Sequence, residues 1–344
     1  MRETLDSVLC QKVKDWEIFC TDDGSPDKMG EVLDHYVREK CTNVREYTKV
    51  FNAGDEDKHP DAPKRFITGD VIGGGKITIT HQLNSGLSGS RNVGLLQASG
   101  DWLIYLDGDD LLAPHALEAI DKCMAEFPDA DMLRGGSEHF MDGESCKWVD
   151  PCEPSFSLDM THHISYKCMG RDFSQYVYNR KLVGDILFSG IGWNEERPYT
   201  AKCMARTRLL AITTSPFYGH RTRKGSVSNT KMPLNTLIGN LEATKTVIRT
   251  FVGSGRTIDR RLMREWLTSW TEFHVGFIYN HLPPEDRPIA WRNFFVSLKE
   301  AAIYKPKTIW RAFTIQMCRL FPFRIVATIL LYIPHWLKLK GVHR

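Results

Sequence analysis

The chain has 344 residues, 42% of them hydrophobic, and a formal net charge of +3. That length supports one large domain plus a smaller one. The near-balanced charge gives no footing for nucleic-acid binding, and no apolar run reaches the ~18 residues that a membrane span needs. The charge is unevenly spread, however. Eight Lys or Arg and no acid fall between Ala301 and Arg344, so against an overall +3 the first 300 residues carry −5. A basic, apolar end points to an acidic surface, anionic lipid in particular. The nine cysteines include no Cys-x-x-Cys pair, and no histidine lies at zinc-site spacing from Cys146 and Cys152. Scattered reduced thiols fit a cytoplasmic protein. Met1 to Leu9 is charged and amphipathic, unlike a secretory leader.

Taken in chain order, residues 3 to 10 predict a helix with Leu5, Val8 and Leu9 on one face. Glu17 to Cys20 is a short strand running into Thr21-Asp22-Asp23-Gly24-Ser25-Pro26-Asp27. Ser25 suits an N-cap and Pro26 a first helical residue. Met29, Val32, Leu33, Tyr36 and Val37 then repeat at helical spacing. Strand, acidic turn and helix form the unit of a nucleotide-binding α/β sheet, whose ligand groups sit at the strand's carboxyl end. Residues 43 to 75 show charge and little periodicity, and predict a surface insertion. Their Gly73-Gly74-Gly75-Lys76 is not a P-loop, because Asp70 stands where Gly is required and Ile77 where Ser or Thr would hold magnesium. Lys76 to Thr80 alternates as a strand. In the small-residue stretch after it, Arg91 has the chemistry to clamp a phosphate.

The most informative stretch is Ala98 to Glu118. Trp102 to Leu106 is an apolar run of strand length, followed by Asp107, Gly108, Asp109 and Asp110, and then Pro114 and a helix carrying Leu117, Ile120, Met124 and Phe127. Three carboxylates in four residues ask for a counter-cation beside a buried strand. Hard oxygen ligands there suit Mg²⁺ or Mn²⁺ with room left for phosphate oxygens. A solvated acidic turn is the alternative. A further strand is expected at Asp131 to Leu133.

Four separated segments then carry a resemblance: LDSVLCQKVKDWEIFCTDDGSPD, NSGLSGSRNVGLLQASGDWLIYLDGDD, FSGIGWNEERPYTAKCM and FYGHRTRKGSVSN. In this order they resemble the family 2 glycosyltransferases, over roughly Glu3 to Asn229. The resemblance implies the GT-A fold, an α/β nucleotide-diphospho-sugar transferase domain over residues 1–230, with the insertion at about 43–75. It also implies that Asp22 and Asp23 hold the base and ribose of a nucleotide-sugar, that Arg91 meets the base or diphosphate, and that Asp107 and Asp109 form the family's DxD motif. Asp109 is then the direct metal ligand and Asp110 a residue behind it. Glu195 and Glu196 fall where the family has Glu-Asp, so either glutamate can serve as catalytic base. His220 and Arg221, with Ser226 nearby, match a basic segment that closes over the diphosphate. One departure stands out. The family's opening strand, ending in a Pro-x-Tyr-Asn-like motif, has no counterpart here, and Met1 stands where the next helix is already under way. A start codon further upstream or a shortened product would each account for it.

Residues 231–344 predict a helical region, with helices carrying Leu234 to Phe251, Leu262 to Phe277 and Trp291 to Ile303. Toward the end, Ile325 to Ile333 is almost wholly apolar, with Arg319, Arg324, Lys338, Lys340 and Trp336 around it. About 317–344 thus reads as an interfacial helix, peripheral on the inner face of the cell membrane, or else as a helix packed on the catalytic domain. The sequence therefore predicts an inverting, metal-dependent transfer of a sugar from a nucleotide donor, UDP-linked, to a saccharide or lipid-linked saccharide in surface polysaccharide synthesis. A catalytically inactive nucleotide-sugar-binding partner subunit and a nucleotidyltransferase are the rival readings. The acceptor wall is expected within residues 135 to 200, near His162 and His163.

Overall fold

The computed structural model describes residues 1–149, 154–164, 173–189, 195–223, 233–259, 274–278 and 282–302. They divide into two compact units. The first holds Met1–Gly190, Glu195–Asn229 and Ser254–Arg256, and the second holds Ile191–Asn194, Thr230–Gly253 and Thr257–Arg344.

The first unit begins with α1 (Arg2–Leu9), β1 (Glu17–Asp22), α2 (Met29–Lys40), β2 (Cys41–Val50), β3 (Pro63–Val71) and β4 (Lys76–His81). Their strands make a four-stranded sheet in the order β1-β4-β3-β2, with β1 and β4 parallel and the other pairs antiparallel. Leu5 of α1 and Leu33, Tyr36 and Val37 of α2 pack on Ile67, Ile77 and Ile79 of the sheet. The apolar positions at helical spacing in α2 supply this face. Its start is set by Asp27, whose carboxylate accepts the Met29 N–H at 2.9 Å. Ser25, expected as the N-cap, instead gives its own N–H to Asp22 at 3.2 Å, so the helix opens later than Pro26.

The surface insertion expected over 43–75 is not what the chain forms. Those residues supply β2 and β3, and β3 lies inside the sheet with Phe66 and Ile67 fully buried. The Gly73-Gly74-Gly75 run is the hairpin turn from β3 to β4. All three residues have positive φ (95°, 113° and 87°), a region that glycine enters without steric cost.

The unit continues with α3 (Gly86–Gln97), β5 (Trp102–Ile104), β6 (Leu111–Leu112), α4 (Ala116–Glu126), β7 (Met132–Met141), β8 (Phe156–Asp159), β9 (His163–Ile164), β10 (Tyr176–Asn179), α5 (Arg180–Val183), α6 (Glu196–Arg206) and β11 (Leu209–Thr222). A second sheet runs β5-β10-β7-β11-β6, with β8 also on β11. Here β7 and β11 are parallel and β10 is antiparallel to both its neighbours. Ile120 and Cys123 of α4 pack on Leu133, Val177 and Phe217 of this sheet. Among the described residues, β1 and β5 each have a strand partner on one side only.

In the second unit, α7 (Leu234–Gly253) and α8 (Arg287–Ala302) pack together, burying Leu237, Leu241, Ile248 and Phe251 of α7 and Ala290 and Phe294 of α8. Within the helix expected over 262–277, residues 274–278 are helical and the rest lies outside the described residues, as do Ser226 and the basic end at about 317–344. No helix among the described residues is long and apolar enough to cross a membrane.

The reassignment of residues 43–75 is testable. Phe66 stacks on Tyr47 with ring centroids 5.0 Å apart and meets Phe51 edge-on. Phe66→Ala is expected to cost about 3–5 kcal/mol by denaturant unfolding, whereas a residue on a surface loop would change stability by less than ~0.5 kcal/mol.

Candidate active site

The acidic turn follows β5 and is closed by the Asp110 N–H donating to the Asp107 carbonyl at 3.0 Å. Its three carboxylates have separate tasks. Asp110 is buried and accepts from the Tyr218 hydroxyl at 2.5 Å, the Arg221 N–H at 2.8 Å and His220 Nδ1 at 3.2 Å. The Tyr218 hydroxyl also accepts the Asp107 N–H at 3.2 Å, so β11 holds the turn at both ends. Asp107 and Asp109 remain partly exposed, at 43% and 37% of their side chains. Gly108 does not have the positive φ that a tight glycine turn would require. Its bare Cα makes room for the Met1 side chain instead, and its carbonyl accepts from Thr4 Oγ1 at 2.9 Å.

Arg91 lies on α3, which the small-residue stretch after β4 forms. Its Nη2 donates to Asp107 Oδ1 at 3.0 Å, and its Nη1 lies 3.6 Å from Glu195 Oε1. The guanidinium sits 4.6 Å over the Phe173 ring and is 11% exposed. Arg91, expected at the donor's base or diphosphate, pairs in the structure with two protein carboxylates and lies over a ring.

Glu195 is the N-cap residue of α6 and is buried, while Glu196 opens the helix and is half-buried. Burial pushes the Glu195 carboxyl up to about 7, with the Ser88 hydroxyl and Arg91 opposing. The Glu196 carboxyl is raised as well, by burial first, with Arg91 opposing and Asp107 adding to the rise. The acidic turn and the glutamate pair, 88 residues apart in sequence, thus surround one guanidinium. Behind them Phe188 and Tyr199 stack at 3.9 Å, and the Tyr105 and Tyr199 hydroxyls meet at 2.6 Å.

At the end of β1, Asp22 and Asp23 are both engaged internally. Asp23 accepts the N–H groups of Ser85 and Gly86 and Gln82 Nε2, all within 2.8 Å, and so caps the start of α3. Asp22 accepts from Ser25 N–H and pairs with His81. Arg221 donates from Nε to the Asp109 carbonyl at 2.7 Å and pairs with Asp142 and Glu3, with its side chain 12% exposed. It therefore braces the turn from within the protein. Arg223, which the sequence reading passed over, pairs with Asp109 Oδ2 at 2.7 Å and is 45% exposed. Its position two residues after Arg221 on an extended chain is a signal that would have found it. Tyr218 was missed because a tyrosine at strand spacing carries no functional mark of its own.

Among the described residues no three His, Cys, Asp or Glu side chains are grouped to enclose a metal ion. Asp107 and Asp109 are nonetheless two exposed hard-oxygen donors, each with one oxygen in an ion pair. Mg²⁺ commonly takes one or two carboxylates and leaves its other positions to water and phosphate oxygens. The donor set fits an ion completed by a bound diphosphate, not one caged by protein.

Two sheets flanked by helices, with an acidic turn at a strand end facing a pair of glutamates, define a GT-A-type nucleotide-diphospho-sugar transferase architecture. The family model for Glycosyl transferase family 2 matches residues 1–55 and 56–186, and the chain belongs to that family. It is 29% identical over 239 residues to the uncharacterized glycosyltransferase EpsJ of Bacillus subtilis, covering 66% of this chain and 59% of EpsJ. Glycosyltransferase GlyA of Streptococcus pneumoniae is 23% identical over 239 residues, covering 66% of this chain and 29% of GlyA. The chain thus spans less than two thirds of either relative. The crystal structure of S. aureus TarS 1-349 shares the fold, with a TM-score of 0.58 at 14% identity over 92% of this chain and 87% of that one.

A carboxyl whose pKa is raised on folding adds stability at low pH and loses it as pH rises through the folded value. For Glu195 that window runs from its ordinary 4.5 up to about 7, an effect of up to about 3 kcal/mol. Urea midpoints measured on either side of this window should fall toward neutral pH in the wild type and fall less in Glu195→Gln. Equal slopes for the two proteins would contradict the burial of this acid.

Proposed function

We propose that this chain is an inverting glycosyltransferase that moves a sugar from a nucleotide-diphosphate donor to a hydroxyl of a saccharide or lipid-linked saccharide. The observation that carries the reading is Arg91 held between Asp107 and Glu195, which keeps the acidic turn and the glutamate pair in one site. UDP as the nucleotide rests on the family resemblance.

Asp109 and Asp107 would hold Mg²⁺ or Mn²⁺, which would supply positive charge for the departing diphosphate. Arg223, beside Asp109 and half-exposed, adds a second positive group on the leaving-group side. His220 faces the same turn, held through its Nδ1 contact with Asp110 and with 42% of its side chain exposed. Asp22 and Asp23 form the nucleotide end at the carboxyl edge of β1.

Of the two glutamates, Glu196 is the base in this reading. It is the more exposed, and burial raises its pKa, which makes its carboxylate a stronger proton acceptor. The acceptor oxygen attacks the anomeric carbon from the face opposite the nucleotide. The bond from that carbon to the diphosphate oxygen breaks, and the acceptor proton passes to a Glu196 carboxylate oxygen. Glu195, buried against Arg91, keeps the guanidinium in place. We further propose that the basic, apolar end at about 317–344 brings the enzyme to anionic membrane, where lipid-linked acceptors reside.

Glu196→Gln should lower sugar transfer by about 10²–10⁴-fold while donor binding, measured by calorimetry, persists. Asp109→Asn should abolish Mn²⁺-dependent transfer; normal turnover in either variant defeats the assignment of that residue. Removing Leu320 to Arg344 should shift the protein from the membrane to the soluble fraction, and unchanged partitioning would rule out the lipid role.

A further inference from the structure

His81, the last residue of β4, sits where two carboxylates meet. Its Nδ1 is 2.9 Å from Asp22 Oδ2, and its Nε2 is 2.8 Å from Asp34 Oδ1 on α2. The ring is 13% exposed, and the two acid side chains are 9% and 17% exposed. A neutral imidazole has one N–H and one bare nitrogen, so it can donate to only one of them. Each ring nitrogen faces one carboxylate oxygen, so the ring ties the end of β1, through Asp22, to α2, through Asp34. The other charges facing this cluster come from β3, α2 and β2. Arg65 Nη2 donates to Asp34 Oδ2 at 2.8 Å, Arg38 lies 3.9 Å from the same oxygen, and Glu46 pairs with both arginines. Asp22 itself is held below the usual carboxylate range. Burial opposes this, and the hydrogen bonds from Ser25 and His81 outweigh it.

A second feature is independent of charge. Gly30, in the first turn of α2, passes directly over the Asp22–His81 bond. A Cβ there would lie 2.9 Å from Asp22 Oδ2 and 3.3 Å from His81 Nδ1. Only a residue without a side chain lets α2 close over this contact, and α2 carries Asp34 to the other side of the ring.

We propose that His81 is a positioning residue: held between Asp22 and Asp34, it fixes the Asp22 carboxylate at the nucleotide end of the site, so that donor affinity depends on the His81 ring. This rests on the assignment of Asp22 to the nucleotide end made above. Without the ring, Asp22 loses one of the contacts that orient it and is freed to turn, so donor binding weakens while the proton transfer at Glu196 is untouched.

The test is the donor KM and kcat with a UDP-sugar and Mn²⁺ for wild type, His81→Asn and Gly30→Ala. His81→Asn, which cannot span both acids, should raise donor KM at least roughly tenfold. Gly30→Ala, which alters neither the acids nor the ring, should raise KM as well, and kcat should stay in place in both variants. A donor KM that ignores both substitutions, or a kcat that falls with KM unchanged, overturns the role of His81. Absence of any nucleotide-sugar binding by the wild type overturns the reading of the site itself and this proposal with it.

Discussion

The arrangement depends on one guanidinium. Arg91 is nearly buried, with a carboxylate from the acidic turn on one side, a glutamate from the start of α6 on the other, and an aromatic ring beneath. A charge this desolvated is tolerable only when its partners are close and correctly oriented. Arginine's planar fork meets two acids at once, and its face accepts the Phe173 ring. Lysine, a point charge, would serve one of the acids and leave the other unpaired. Because Glu195 and Asp107 both answer to Arg91, the acidic turn and the start of α6 cannot drift apart without stranding a buried charge.

The acidic turn is held a second time from β11. Asp110 takes three hydrogen bonds from Tyr218, His220 and Arg221, and Tyr218 passes one on from the Asp107 backbone. This spends one of three neighbouring aspartates on structure and leaves Asp107 and Asp109 facing outward. Like charges so close would otherwise repel one another out of position. A parallel economy appears at the end of β1. There Asp23 is consumed in capping α3, the helix that carries Arg91, so the end of β1 and the acidic turn are linked through one element.

The clearest divergence between sequence and structure lies in residues 43–75. Edge strand β2 is exposed along nearly its whole length, so it has no buried face to produce an alternating pattern. Strand β3 is interior but includes Lys64, fully buried and paired to Asp57 at 2.7 Å. A lysine in the core reads as a surface residue until its partner is seen. The GT-A class was legible because its motifs are local: a strand followed within a few residues by acids and a helix start carries its meaning in adjacent positions. The α2 helix was legible for a similar reason, since its apolar stripe repeats at the helical period.

What the amino-acid order determined alone is therefore the list of chemically capable residues and the family to which they belong. Asp107 and Asp109 are visible as a short-range pattern of charge beside an apolar run, and Glu195 and Glu196 through the resemblance to the family. What only the tertiary structure decided is which of them face solvent and which are spent inside. Arg91 and Arg221, expected at the donor, are paired with protein carboxylates, Asp110 is held by three hydrogen bonds from β11, and Arg223 pairs with Asp109. The reason is that an ion pair is a relation between distant positions. The partners of Arg91 lie 16 and 104 residues away in the chain, and packing alone brings them within reach.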